Sequence, residues 1–183
     1  MNNIINILNK NSVDILQLLS KGNFYLREIS ETLHISPSAT HGALKSLLAF
    51  DFIKESKQKN KKVYSLNTDN ILLRAVKSFI NLDRIIKSKA YKGLSTLGTV
   101  GIYGSFAEGS NDEHSDLDMW VYGEKINPSL AAKYSAKFEK EFKAEINILI
   151  LNKNKLENIK NKDPEFYSRL KLTSVYQGEA PFD

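Results

Sequence analysis

Apolar residues recur at helical spacing early in the chain. Val13, Ile15, Leu16, Leu18 and Leu19 define one side of a helix that Ser12 is placed to cap and Gly22 to end. A short helix is predicted over residues 26–33, where Ile29 and Leu33 lie four apart on one face. After the tight connection His34-Ile35, the pair Ser36-Pro37 marks a further helix start. The serine oxygen accepts an orphan N–H, and proline at the first helical position gives up a donor that has no partner there. Ala39, Ala43, Leu44, Leu47 and Leu48 carry that helix to Phe50. The period then changes to two: residues 52–56 and 62–66 read as strands around the polar stretch 57–61, a hairpin with a basic tip.

A longer helix is expected over residues 68–90. Its apolar side, running from Ile71 and Leu72 through Val76, Phe79 and Ile80 to Ile85 and Ile86, is too broad for a bare linker and must pack on the second half, on a partner subunit, or on both. Beyond it, short apolar runs alternate with helical patterns. Strands are predicted at 100–103, 117–122 and 146–151, a helix opens at Pro128 and runs to Phe142, and a last helix covers 164–176. The expected fold class is α+β / α/β. Residues 1–67 form a helical module with a hairpin, 68–90 a linking amphipathic helix, and 91–183 a small mixed sheet covered by helices.

Composition narrows the setting. At 42% hydrophobic and 26% charged residues the chain lies in the ordinary globular range, so it is expected to fold. It lacks a run of about 18 apolar residues. Residues 1–10 alternate Asn with Ile or Leu, without the basic start or small-residue cleavage site of a leader. The expectation is a cytoplasmic protein that does not span a membrane. With no cysteine, disulfides and thiolate metal sites are excluded, and any metal must be held by oxygen or imidazole. The net charge of +5 is unevenly spread: residues 1–67 carry nine Lys or Arg against five Asp or Glu, and the remainder seventeen against sixteen. A basic first part joined to a near-neutral second part is what a polyanion-binding module fused to another domain looks like.

The order helix, helix, helix, hairpin is a winged arrangement, and residues 26–66 resemble the winged helix-turn-helix family of transcription regulators. That resemblance implies that the helix from Pro37 enters the DNA major groove, with Ser38, Thr40, His41 and Lys45 on its polar face. Lys57, Lys59, Lys61 and Lys62 would neutralise phosphates beside it, contacts that position the protein without reading sequence. It also implies a homodimer reading two half-sites. The alternative is a solvated wing on a module that serves only protein contacts.

The most specific feature lies between residues 104 and 121. Gly104-Ser105 follows a strand and precedes a helical turn, so backbone N–H groups and the serine hydroxyl can approach phosphate oxygens. Asp116 and Asp118 stand two apart at the start of a strand, which turns both carboxylates to one face and Leu117 and Met119 to the other. Two such carboxylates repel one another unless a divalent cation neutralises them, and hard oxygen ligands suit Mg²⁺ bridged to nucleotide phosphates. The pattern Gly-Ser-x-Ala-x-Gly, then Ser-Asp-Leu-Asp with an apolar tail, resembles the polymerase β-type nucleotidyltransferases, in particular their minimal prokaryotic members, over about residues 94–178.

By that resemblance Gly104 and Ser105 hold the triphosphate of a nucleoside triphosphate, ATP among them, and Asp116 and Asp118 bind two Mg²⁺ ions. Two positions depart from the pattern. Glu108 stands where a basic residue is usual, and Asn147 stands where the family carries a third carboxylate. Glu145, two residues earlier on the same strand face, is the candidate to replace it if the strand starts early or bends; the alternative is a surface charge at the strand edge. His114, in the loop before the aspartates, is read as a surface residue. The expected function is transfer of a nucleoside monophosphate to an acceptor hydroxyl. The resemblance allows a protein acceptor, such as a HEPN toxin in a toxin–antitoxin pair. The alternative is a transcription regulator whose second domain senses a nucleotide or dimerises without turnover.

Overall fold

The computed structural model describes residues 8–179 and 181–182, so most of the stretch read above for a leader lies outside the described residues. The chain divides into two compact units, Met1–Val76 and Lys77–Asp183. The changeover falls inside the helix expected to link them.

In the first unit α1 (Lys10–Leu19) is capped by Asn9, whose side-chain oxygen accepts from the Ser12 amide at 3.1 Å. Ser12, expected to be the cap, sits inside the first turn and is fully buried. The helix-turn-helix comprises α2 (Leu26–Leu33) and α3 (Pro37–Ala49). His34 ends α2 in the left-handed region (φ 53°), and Ser36 Oγ accepts from the Ala39 amide at 3.2 Å, the cap that the Ser-Pro pair predicts.

The wing is longer than its sequence pattern indicates. β2 (Ile53–Gln58) and β3 (Lys61–Leu66) pair antiparallel, leaving only Lys59-Asn60 as the turn. Both turn residues have positive φ, 45° and 64°, the backbone a two-residue hairpin needs to match strand twist. A third strand, β1 (Phe24–Tyr25), pairs with β3 in the order β1-β3-β2. The core of this unit includes Ile15, Leu16, Ile29, Leu44, Leu47 and Phe52. Asn70 ties the next helix to it: its oxygen accepts from the Leu72 and Leu73 amides, and its Nδ2 donates to the Phe50 and Asp51 carbonyls at the end of α3.

α4 (Ile71–Lys87) stops short of residue 90. Ser88 accepts from the Tyr91 amide and starts a separate α5 (Lys89–Leu94), so the single linking helix of the sequence reading is two helices. The second unit is built on a mixed sheet of order β6-β5-β4-β7. β4 (Thr99–Tyr103) runs antiparallel to β5 (Leu117–Tyr122) and to the short β7 (Val175–Tyr176). β5 runs parallel to β6 (Ile146–Leu151), and α7 (Pro128–Phe142) makes the crossover that a parallel pair requires.

Strand alternation sends Ile102, Met119, Val121 and Ile146 to one face, against Leu94 and Phe138. Trp120 and Leu151 go to the other, against Leu156 of α8 (Lys153–Lys162) and Tyr167 and Leu170 of α9 (Pro164–Thr173). The helix expected over 164–176 therefore ends three residues early, where Ser174 Oγ accepts from the Trp120 indole N–H at 2.9 Å and the chain joins the sheet. Among the described residues no helix is long and apolar enough to cross a membrane.

Candidate nucleotide site and candidate nucleic-acid face

Asp116 is exposed just ahead of β5, and Asp118, two residues on, is half-buried. Between and beyond them Leu117 and Met119 are fully buried on the opposite face, as strand alternation demands. The β4–β5 register sets Asp118 opposite Tyr103, the last residue of β4. The chain then turns at Gly104, with φ +68°, into the short α6 (Gly104–Glu108). A Cβ at residue 104 would lie 2.7 Å from Asp118 Oδ2. Glycine thus serves twice here: it supplies the left-handed backbone, and it lets the Gly-Ser turn lie against the carboxylate.

The next strand brings Asn147 beside Asp118 in register, and Asn147 Nδ2 donates to Asp118 Oδ1 at 3.2 Å. Glu145 is a correction to the sequence reading. It precedes β6, exposed, and gives its backbone carbonyl to the Leu117 amide. Among the described residues, no three His, Asp or Glu side chains gather into a metal-binding group, so Glu145 does not complete a carboxylate triad with Asp116 and Asp118. Two hard-oxygen side chains beside such a turn suit a divalent cation whose remaining ligands come from a nucleotide's phosphates and water.

The surroundings are ordered by local hydrogen bonds. The Ser105 carbonyl accepts from the amides of Gly109, Ser110 and Asn111, folding the loop back on the turn. Asp112 accepts from Ser115 Oγ at 2.9 Å and from the His114 amide at 3.0 Å, and these bonds hold its carboxyl below the ordinary aspartate range. Burial, then the negative charge of Asp118, pushes the Tyr103 phenol up, while Arg169 works the other way. Glu108 and His114 are exposed, and His114 lies 3.5 Å from Glu113. The sequence reading passed over Lys77, Ser78 and Asn81 of α4, whose side chains bond to the loop after the turn. Their signal was the polar group at 77, 78 and 81 set among the apolar positions 76, 79 and 80.

In the first unit, Ser38, His41 and Lys45 are exposed on α3 at i, i+3 and i+7, a single face. Thr40 is corrected: it is fully buried and its Oγ1 donates to the Ser36 carbonyl at 3.1 Å, so it is turned away from any ligand of that face. Lys57, Lys59, Lys61 and Lys62 are all exposed on the wing. Lys62 pairs with Glu55 at 2.9 Å, which lowers the glutamate's affinity for protons and raises that of the lysine. Lys61 lies 5.6 Å from the Tyr25 ring centroid.

The span that carries this turn and both aspartates is similar to a known family. Residues 86–169 match the model for "Polymerase beta, Nucleotidyltransferase". Gly104, Ser105, Asp116, Asp118 and Asn147 all fall inside the matched span, which lies within the second unit. Among solved structures, the chain is similar to the adhesin competence repressor AdcR of Streptococcus pyogenes, at 24% identity and a TM-score of 0.37 over 42% of this chain and 57% of that one. It is also similar to a ZitR mutant of Lactococcus lactis, at 28% identity and a TM-score of 0.37 over 42% of this chain and 54% of that one. The apo form of that mutant gives the same identity and TM-score over 43% and 60%. The chain thus spans between half and two thirds of the length of these proteins. No curated protein matches it significantly.

Proposed function

We propose that this protein is a Mg²⁺-dependent nucleotidyltransferase joined to a DNA-binding winged unit. The observation that supports the reading best is the meeting of Asp118 with the Gly104-Ser105 turn, which sets paired carboxylates against a loop suited to phosphate. Ser105 and the backbone of the turn bind the triphosphate. Asp116 and Asp118 would hold the metal, which supplies neutralisation of the carboxylates and phosphates and stabilises charge in the displacement. The acceptor oxygen bonds to the α-phosphorus as the bond to the β-phosphate oxygen breaks, and pyrophosphate leaves. Asn147 is an amide and cannot take the acceptor's proton, which passes to water, so turnover is slow.

A second reading, a regulator that binds nucleotide without turnover, is favoured by one observation: Asn147 donates to Asp118 where the family resemblance places a carboxylate. Calorimetry with ATP or GTP and Mg²⁺ tests both. Binding is expected in the native protein and is lost when Asp116→Ala and Asp118→Ala are combined; retention in the double variant rejects the site. Release of pyrophosphate in the presence of an acceptor, a HEPN toxin among those tried, separates transferase from sensor. On the first unit, Ser38, His41 and Lys45 would face DNA bases while Lys57, Lys59, Lys61 and Lys62 meet phosphates. A second copy of the chain, recruited through exposed Phe79 and Ile86 of α4, would provide the second half-site reader.

A further inference from the structure

Four hydrogen bonds from one stretch of α4 converge on the loop that follows the Gly-Ser turn. Ser78 Oγ donates to the Ala107 carbonyl at 2.5 Å, and Lys77 Nζ to the Asn111 carbonyl at 2.5 Å. Asn81 Nδ2 reaches both the Phe106 carbonyl at 3.0 Å and Asn111 Oδ1 at 2.7 Å. Two of the acceptors, the Phe106 and Ala107 carbonyls, belong to the end of α6, a helix of five residues, and the other two to Asn111 just beyond it. So short a helix is below the length at which it can sustain itself, and the last four carbonyls of any α-helix have no partner within the helix. Asn111 is a buried polar side chain, and Asn81 is what satisfies it. The same turn is also bounded by Asp118, against which Gly104 is packed.

We propose that Asn81, assisted by Ser78, is a positioning residue for the nucleotide site: it fixes the Gly104–Asn111 segment so that the turn's phosphate-facing groups stay aligned with Asp116 and Asp118. The role in nucleotide binding rests on the function proposed above; the clamp itself does not. Asn81 touches no reacting atom. It acts through the Phe106 carbonyl and Asn111, and Asn111 returns its amide to the Ser105 carbonyl at 3.2 Å. Ser105, the residue assigned to the triphosphate, is thereby only one hydrogen bond away from the clamp.

Hydrogen–deuterium exchange of the full chain tests the clamp without any nucleotide. In Asn81→Ala the amides of Gly109, Ser110 and Asn111 are expected to exchange at least tenfold faster, while those of the β4–β5 ladder keep their rates. Ser78→Ala, a milder change, is expected to give the same local pattern at smaller amplitude. Unchanged exchange at those three amides in both variants, or acceleration spread evenly over the second unit, overturns the proposal. Calorimetry with Mg²⁺ and ATP, or GTP, adds the functional readout: a dissociation constant at least tenfold higher in Asn81→Ala supports positioning, and an unchanged constant alongside faster local exchange overturns it. If the native protein binds neither nucleotide, the proposed function falls and the positioning role falls with it, while the exchange data still decide whether the clamp exists.

Discussion

Replacing Gly104 by alanine separates the stability of the turn from its role at the site. Residue 104 has φ +68°, a region that costs an L residue about 1–2 kcal/mol. The new methyl carbon would lie 2.7 Å from Asp118 Oδ2, whereas ordinary contacts of this kind begin at 3.4 Å, so the carboxylate must withdraw by the difference, 0.7 Å. That oxygen is the far end of a short side chain and can rotate away, so most of the stability cost is backbone strain, and the melting temperature is expected to fall by about 2–8 °C. The cost to binding is larger, because displacing a group by about 1 Å at a preorganised site can cost on the order of a hundredfold. Calorimetry with Mg²⁺ and ATP, or GTP, should show a dissociation constant raised by about ten- to a hundredfold. Gly178→Ala is the control: φ is +114°, and its methyl carbon would meet only Thr99, at an ordinary 3.5 Å. It should lose comparable stability with binding intact. Equal losses of affinity in the two variants, or none in Gly104→Ala, would refute the argument.

Asn147→Asp places a third carboxylate beside Asp118, and like charges in that register destabilise the metal-free protein; Mg²⁺ should therefore raise the melting temperature of the variant more than that of the native chain, and pyrophosphate release should increase. Gly101→Ala would drive a methyl into the fully buried Trp120 indole, and is expected to cost about 1–3 kcal/mol in denaturant unfolding with the first unit unaffected. Replacing Lys59, Lys61 and Lys62 by alanine should weaken DNA binding in a gel shift and flatten its salt dependence by up to about 0.9 per lost phosphate contact; salt-insensitive binding by the native chain would count against the wing. The depressed Asp112 carboxyl contributes stability that is complete above the ordinary aspartate range and lost as pH falls through its folded value, so Ser115→Ala should move its NMR titration midpoint upward.

What the sequence revealed and what it hid follow from local physics. Ser36-Pro37 located α3 because cap and first-turn preferences act within three residues. The Asp-x-Asp spacing located the acidic face of β5 because strand alternation is fixed by the backbone. β1 and β7 escaped because two residues show no periodicity, and their pairing with β3 and β4 is a long-range event. α8 escaped because its Lys- and Asn-rich surface hides only two apolar anchors, Leu156 and Ile159, with Asn152 supplying the cap. Thr40 was misread because its position beside polar neighbours in sequence says nothing of the side its hydroxyl bonds to. Asn147 stands out in sequence only as an amide among apolar residues, and its hydrogen bond to Asp118 is visible only once β5 and β6 are in register.

The changeover at Val76 and Lys77, in the interior of α4, bears on how the protein can be dissected. A fragment ending at residue 76 keeps only the opening turns of that helix, too few to persist unaided. A fragment beginning at residue 77 starts with a fresh row of bare amides and a lysine at the positive end of the helix dipole. Neither cut yields a clean half. Recombination that exchanged the first unit for another would have to carry α4 along or supply an equivalent helix, so this pairing of units resists being shuffled.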